Sequence, residues 1–153
     1  MKTDKINLFN SVFEMKLRII LLLSIDSDQI YSTDRILALD FISCYAKIFG
    51  YPFNNLHGDN QLMFAELANR RSLICESLKK LVVEGLVEAI VDKGFFYKIS
   101  AVGEDYISKF ESNYFKEYLG ISKEVTEKCI NLSDEDLLKI IQTKSLYSNN
   151  GGV

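Results

Sequence analysis

The sequence has one proline, one histidine and three cysteines in 153 residues, and each scarcity removes a class of explanation. Cys44, Cys75 and Cys129 are odd in number, far apart and without CxxC spacing. That pattern fits ordinary thiols in a reducing compartment and supplies neither a disulfide framework nor a metal site. The single histidine, His57, has no serine or cysteine nucleophile patterned around it and no orienting carboxylate, so it reads as a loop residue rather than a general base. Long apolar runs are missing too. The longest aliphatic stretch, Ile19 to Leu23, follows Glu14, Lys16 and Arg18; it is too short for a bilayer span and too charged for a signal-peptide core. There is no basic excess: 18 Lys and Arg face 21 Asp and Glu, for a net charge of −3 and a pI near 5.2. Proteins that hold DNA on their own draw most of their affinity from phosphate neutralisation, so this balance counts against DNA as the main partner. A phosphate loop, a GxGxxG turn, HExxH and GxSxG are all absent. The expectation is a cytoplasmic chain without membrane attachment, cofactor, metal, small-molecule ligand or catalytic activity.

What is present is an ordinary globular composition, 48% apolar, in a length suited to one domain with a proper core. Residues 1–9 are polar and expected to fray. Ser11 and Glu14 have capping-box spacing, and a helix to about Ser24 follows, apolar around most of its circumference and so expected to be buried on several sides. Gln29 to Tyr31 is a candidate short strand. Ser32 or Thr33 caps a second helix with Asp34 in its first turn; its apolar stripe runs to Ile48, and Gly50 and Pro52 end it. Asp40 lies on or beside that stripe, either as a partly exposed flank or as a buried acid paired with Arg35 or Arg70. The loop 51–60 carries the proline and the histidine.

From Asp59 onward the pattern reads as a cap, a short helix 61–68, and a second helix capped by Asn69. Two helices joined so tightly must cross steeply, as in a helix-turn-helix. The second would bury Ile74, Leu78, Leu81 and Val82. Gly85 ends it, Leu86 to Val91 is β-rich, Asp92-Lys93-Gly94 is a hairpin turn with Gly94 in the left-handed position, and Phe95 to Ile99 returns. Phe95 and Phe96 read as packing residues. Ser100 caps a helix that continues to Gly120, placing Tyr106, Phe110 and Tyr114 four apart on one face. Ser122 and Ser133 open two more helices, 123–131 and 134–144, and 145–153 reads as a disordered tail.

The fold class is therefore mainly α (α+β): a winged helix-turn-helix core with a two-stranded wing and extra N- and C-terminal helices, a single domain over 10–144. Its charge is unlike that of a base reader. Between residues 70 and 99 six basic residues face four acids, a net of +2, and from Glu104 to Asp136 nine acids face four lysines, a net of −5. Glu76 and Asp92 stand where a recognition helix and wing would meet phosphates. The acidic segment is also rich in aromatics, and an acidic surface with surplus aromatics suits a basic partner protein. The candidate protein-binding residues are Arg35, Asp40, Arg70, Arg71, Tyr106, Phe110, Tyr114 and Tyr118. Lys79, Lys80 and Lys93 are candidate DNA contacts.

One set of residues carries a resemblance. It comprises the stretch from Thr33 through Asp34-Arg35 to Asp40-Phe41, then Asn55-Leu56-His57, Glu66-Leu67-Ala68-Asn69-Arg70-Arg71, Gly85-Leu86-Val87, Phe96-Tyr97 and Ser112-Asn113-Tyr114. In order and spacing it resembles the middle component of bacterial three-component ABC-ATPase systems, and it is similar to the accessory subunit of Lamassu-type anti-phage and anti-plasmid systems. The resemblance spans about residues 10 to 130. It implies a non-catalytic winged-helix adaptor joining a coiled-coil SMC/Rad50-like ATPase to an effector, often a nuclease, in a defence complex. DNA would then be met indirectly through the complex. The competing reading is a winged-helix transcriptional regulator resembling the MarR or PadR groups, binding DNA as a homodimer.

Overall fold

The computed structural model describes residues 11–58 and 63–151, with side chains as far as residue 146. The segment 1–9 and the Asp59 cap lie outside the described residues. Six helices and a three-stranded antiparallel sheet are present among those described: α1 (Val12–Ser24), β1 (Tyr31–Ser32), α2 (Thr33–Cys44), α3 (Leu67–Val83), β2 (Val87–Val91), β3 (Phe95–Ile99), α4 (Ala101–Ser108), α5 (Asn113–Lys128) and α6 (Asp134–Gly151). The sheet order is β1-β3-β2, with Tyr31 opposite Tyr97 and Val87 opposite Ile99. The expected short strand forms, starting two residues and ending one residue later than its pattern suggested, and by pairing with the hairpin it gives the sheet three strands instead of the expected two. No helix among the described residues is long and apolar enough to cross a membrane.

The core is organised on α2. Every residue from Ile36 to Cys44 is buried, and the helix touches α1, α3, α5, α6, β1 and β3. α1 is buried almost as fully, from Leu17 to Leu23 without interruption. A helix apolar all round has nowhere to go but the middle of its domain.

Four serines start helices as their spacing predicts. The hydroxyls of Ser11, Ser32 and Ser100 accept from the amides of Glu14, Arg35 and Gly103. Ser133 accepts from Asp136 N while its own amide donates to the Asp136 carboxylate, a reciprocal box. At Ser11 the box is only half made, because the Glu14 carboxylate is engaged by Arg18 instead.

Elsewhere tertiary contacts override the local pattern. α2 stops at Cys44, short of Ile48, because the loop competes for its end: His57 N donates to Cys44 O at 3.2 Å, Lys47 N donates to the Asn55 side chain, and Gly50 turns the chain at φ +84°. The helix expected at 61–68 is not formed as drawn. Residues 63–66 are turns, and α3 begins at Leu67, so Asn69 lies inside it rather than capping it; Glu66 is the cap residue and makes no side-chain cap bond. In the hairpin both Lys93 (φ 55°) and Gly94 (φ 146°) take positive φ. It is Lys93 that occupies the left-handed helical region, at a cost of about 1 kcal/mol for a residue with a side chain. Phe95 is 63% exposed and is not a packing residue.

The single helix expected after the hairpin is two. α4 ends at Ser108 and the chain is extended at Ser112 before α5 starts. Gly103 lies against Leu86 in the first piece, and Tyr118 reaches Asp40 from the second. Tyr106, Phe110 and Tyr114 consequently do not share a helix face. α5 then runs straight through Gly120 and Ser122, because Tyr118, Ile121, Ser122 and Val125 form its buried stripe. α6 extends to Gly151, seven residues past the expected end at 144.

Candidate functional site

The most unusual feature of the interior is its charge. Arg18, in the middle of the apolar α1, has no exposed side-chain surface, and Asp40 of α2 and Arg70 of α3 have 1% each. Arg18 Nε donates to Asp40 Oδ1 at 2.9 Å and Arg70 Nη1 to Asp40 Oδ2 at 2.7 Å. Tyr118 of α5 donates its hydroxyl to Oδ1 at 2.8 Å. One carboxylate thus receives hydrogen bonds from α1, α3 and α5. Burial alone would push its pKa up; the two guanidiniums and the hydroxyl outweigh that and hold it well below the usual carboxylate range. Arg70 also stacks over the rings of Phe41 and Tyr45, at 5.5 and 5.8 Å. The Cys44 thiol beside them is pushed up to about 11, mainly by burial.

A second layer closes over this ion triad. Arg18 Nη1 donates to Glu14 Oε1 at 3.0 Å. His57, with 3% of its side chain exposed, stands between the two arginines: its Nε2 lies 2.7 Å from the Tyr114 hydroxyl and 3.4 Å from Arg18 Nη1, and its Nδ1 lies 3.4 Å from Arg70 Nη2. A guanidinium faces each ring nitrogen and can only donate, so the neutral ring accepts from one arginine and turns its own N–H toward the other. The Tyr114 hydroxyl, the shortest of these contacts, also bonds the Glu14 carboxylate. Burial, then Arg18 and Arg70, depress His57 from 6.5 to about 2. The imidazole is neutral and works as a spacer between cations.

That depressed value has a measurable consequence. The unfolded chain takes up the His57 proton below about pH 6.5 and the folded chain does not, so stability falls as pH drops from 6.5 toward 2, by up to about 1.4 kcal/mol per pH unit. Chemical denaturation at pH 7.0, 6.0 and 5.0 should show this slope. In His57→Gln it should be flatter, because that side chain has nothing to protonate; an unchanged slope would mean that the titrating group lies elsewhere.

Of the candidate protein-binding residues, Asp40, Arg70 and Tyr118 are brought together, but in the interior, where they join helices rather than face outward. Tyr114 is half-buried and belongs to the same network. Arg35 is also a cross-link: its guanidinium donates to Cys129 O at 2.9 Å, Leu132 O at 2.8 Å and Asp134 at 3.2 Å. It does not touch Asp40, so of the two partners weighed for that acid only Arg70 pairs with it. Arg71 is exposed and ion-paired with Asp34. Tyr106 is 40% exposed, and Phe110 packs edge-on against Phe115 at 5.3 Å. Among the candidate DNA contacts, Lys79 and Lys80 lie on the open face of α3, with Lys80 3.8 Å from Glu76, and Lys93 lies in the exposed hairpin turn.

Sequence reasoning missed Arg18, Glu14 and His57. A signal was there for the first: an arginine inside an apolar run, on a helix with no polar face, requires an acid partner. Among the described residues no group of three or more His, Cys, Asp or Glu is arranged to hold a metal ion.

Comparison with known proteins gives one result. No curated protein and no solved structure matches the chain. The sequence model of the family described as ABC-three component (ABC-3C) system Middle Component 2 matches residues 8–150. That span includes α1 through α6 and the whole ion network. The chain belongs to the ABC-three component system Middle Component 2 family.

Proposed function

We propose that this protein is a non-catalytic, cytoplasmic winged-helix adaptor that joins a coiled-coil SMC-like ABC ATPase to an effector, a nuclease being the favoured kind, in a Lamassu-like anti-phage or anti-plasmid complex. A middle component of a multi-component ABC system works with partner proteins, and the adaptor reading says what it does with them. The element order supports the winged-helix assignment. Helix, short strand, helix, helix and hairpin follow one another, and the short strand joins the hairpin as its third strand.

The observation that carries the adaptor role is the fate of the basic residues. Arg70 is buried on Asp40, Arg71 is paired with Asp34, and Lys80 lies near Glu76. The outward face of α3 therefore offers phosphates little net charge. The regulator reading, in which a homodimer binds DNA by itself, rests on the exposed Lys79, Lys80 and Lys93, which the adaptor brings to DNA only inside a larger assembly.

Titration of the purified chain against random duplex DNA, at low and at physiological salt, separates the two. The adaptor should show no appreciable binding at physiological salt, while co-purifying with the ABC ATPase encoded beside it. Steep salt-dependent binding by the chain alone, abolished by Lys79→Glu with Lys80→Glu while protein complexes persist, would establish the regulator instead.

A further inference from the structure

A groove of about 680 Å³ lies on the face of the molecule formed by the α1–β1 connection, β1, β3 and the C-terminal half of α5. One wall is the stretch from Ile25 to Ser32, and the other is the end of α5 from Lys123 together with Ile130 just beyond it. Apolar surface is left open inside it: Ile130 is 68% exposed, Ile30 is 36% exposed, and Ile25 and Phe96 are half-buried. The groove is also bordered by a strand edge. Among the described residues β1 pairs only with β3, which leaves its other edge open, and Gln29 through Ser32 line the groove. An unpaired edge beside an apolar trough is the geometry that accepts an added extended segment, with main-chain bonds giving affinity and alternate side chains giving specificity.

The charges at the rim choose the kind of segment. Arg35 is used by two backbone carbonyls and Asp134. Glu124 and Lys128 neutralise one another at 3.5 Å. Asp26 and Glu127 remain against Lys123, a net of −1 among the lining side chains, and Asp28 on the same loop adds a further exposed acid. The rim is therefore acidic, in a chain whose net charge is −3.

We propose that this groove receives an extended segment of a partner protein, apolar at alternate positions and flanked by lysine or arginine. The segment pairs with the β1 edge, sets its apolar side chains against Ile30, Phe96 and Ile130, and meets Asp26 and Glu127 with its basic residues. This rests on the adaptor reading and adds to it the docking site and the chemistry of what docks.

A photo-reactive residue placed at position 130, in the chain co-expressed with the other components of its system, tests the idea. The expected adduct is a peptide of another component with more basic than acidic residues. Ile130→Asp should weaken that complex by about tenfold or more, as loss of a central interface anchor does. Asp26→Lys with Glu127→Lys should also weaken it, and Val83→Asp, at the exposed end of α3 and outside the groove lining, should leave it unchanged. Adducts only to a second copy of the chain, to DNA or to an acidic peptide would overturn the proposal. So would a complex whose affinity ignores all three groove substitutions. A wild-type chain that binds no other component would instead remove the adaptor reading itself.

Discussion

Asp40→Ala should lower the stability of this protein by about 3–5 kcal/mol, the largest effect expected of any single side-chain truncation. The carboxylate is the only acid within bonding distance of Arg70 and the principal partner of Arg18 among the described residues. Removing it leaves Arg70 without an acid and Arg18 with Glu14 alone, where water cannot reach them, and it takes the acceptor from the Tyr118 hydroxyl. Neither arginine can escape by losing its proton, since a guanidinium stays charged in proteins. Urea denaturation followed by circular dichroism reads the loss directly. The contrast lies in the quadruple variant Asp40→Leu, Arg18→Met, Arg70→Leu, Glu14→Gln, the last because Glu14 would otherwise lose its Arg18 partner. It removes the charges together and should recover most of what Asp40→Ala loses, because buried ion clusters replaced whole by apolar groups are often neutral or better. If Asp40→Ala costs less than about 1 kcal/mol, the carboxylate is not the hub described above. The acid dependence agrees in sign. Asp40 titrates far below its usual value, so its contribution is present above about pH 4 and is lost only on stronger acidification, after the His57 effect has begun.

Gly103→Ala should come second, at about 3 kcal/mol, although alanine is the better helix former by about 1 kcal/mol. A Cβ at this position would lie 2.2 Å from Leu86 O and 2.8 Å from Ile99 Cγ1. The obstacle is backbone and cannot swing aside, since Leu86 O already accepts from Ser100 N at 3.1 Å. The Ser100 hydroxyl adds a second tie by donating to Gly85 O at 2.6 Å. α4 therefore docks on the exit from α3 only where a side chain is missing. Gly120, in the middle of α5, makes the comparison: nothing lies within 4 Å of its would-be Cβ. Gly120→Ala should stabilise by about 0.5–1 kcal/mol. Thermal melts of the two variants should therefore move in opposite directions, and a common direction would contradict the close approach at Leu86.

These two cases mark what the sequence could convey. The starts of α1, α2, α4 and α6 were legible because a serine acts on an amide three residues away, and the hairpin because its alternation and turn are local. Asp40 was suspect from its place on an apolar stripe, and Arg70 stood among its candidate partners. The rest depended on contacts across the fold. No glycine or proline between Lys109 and Ser112 announces the break at which Ser112 turns extended. His57 looked like a surface loop residue because its burial comes from the return of residues 51–58 over the end of α2, which no local pattern encodes. Arg35 and Tyr118 looked like partner-facing residues for the same reason: the acids and carbonyls they bind are supplied from far along the chain.

The central position of α2 also has a temporal meaning. Its N-terminus is held by contacts that reach 97 to 102 residues ahead, from Arg35 to Leu132 O and from Ser32 to Asp134, and α5 and α6 cover its flank. On the ribosome this helix is made early, yet it cannot be enclosed until the C-terminal third has emerged. Until then the nine consecutive core residues Ile36 to Cys44 have only α1, α3 and the sheet to pack on. Such distant contacts form slowly, and a chain lacking α5 and α6 would leave one flank of its central helix uncovered.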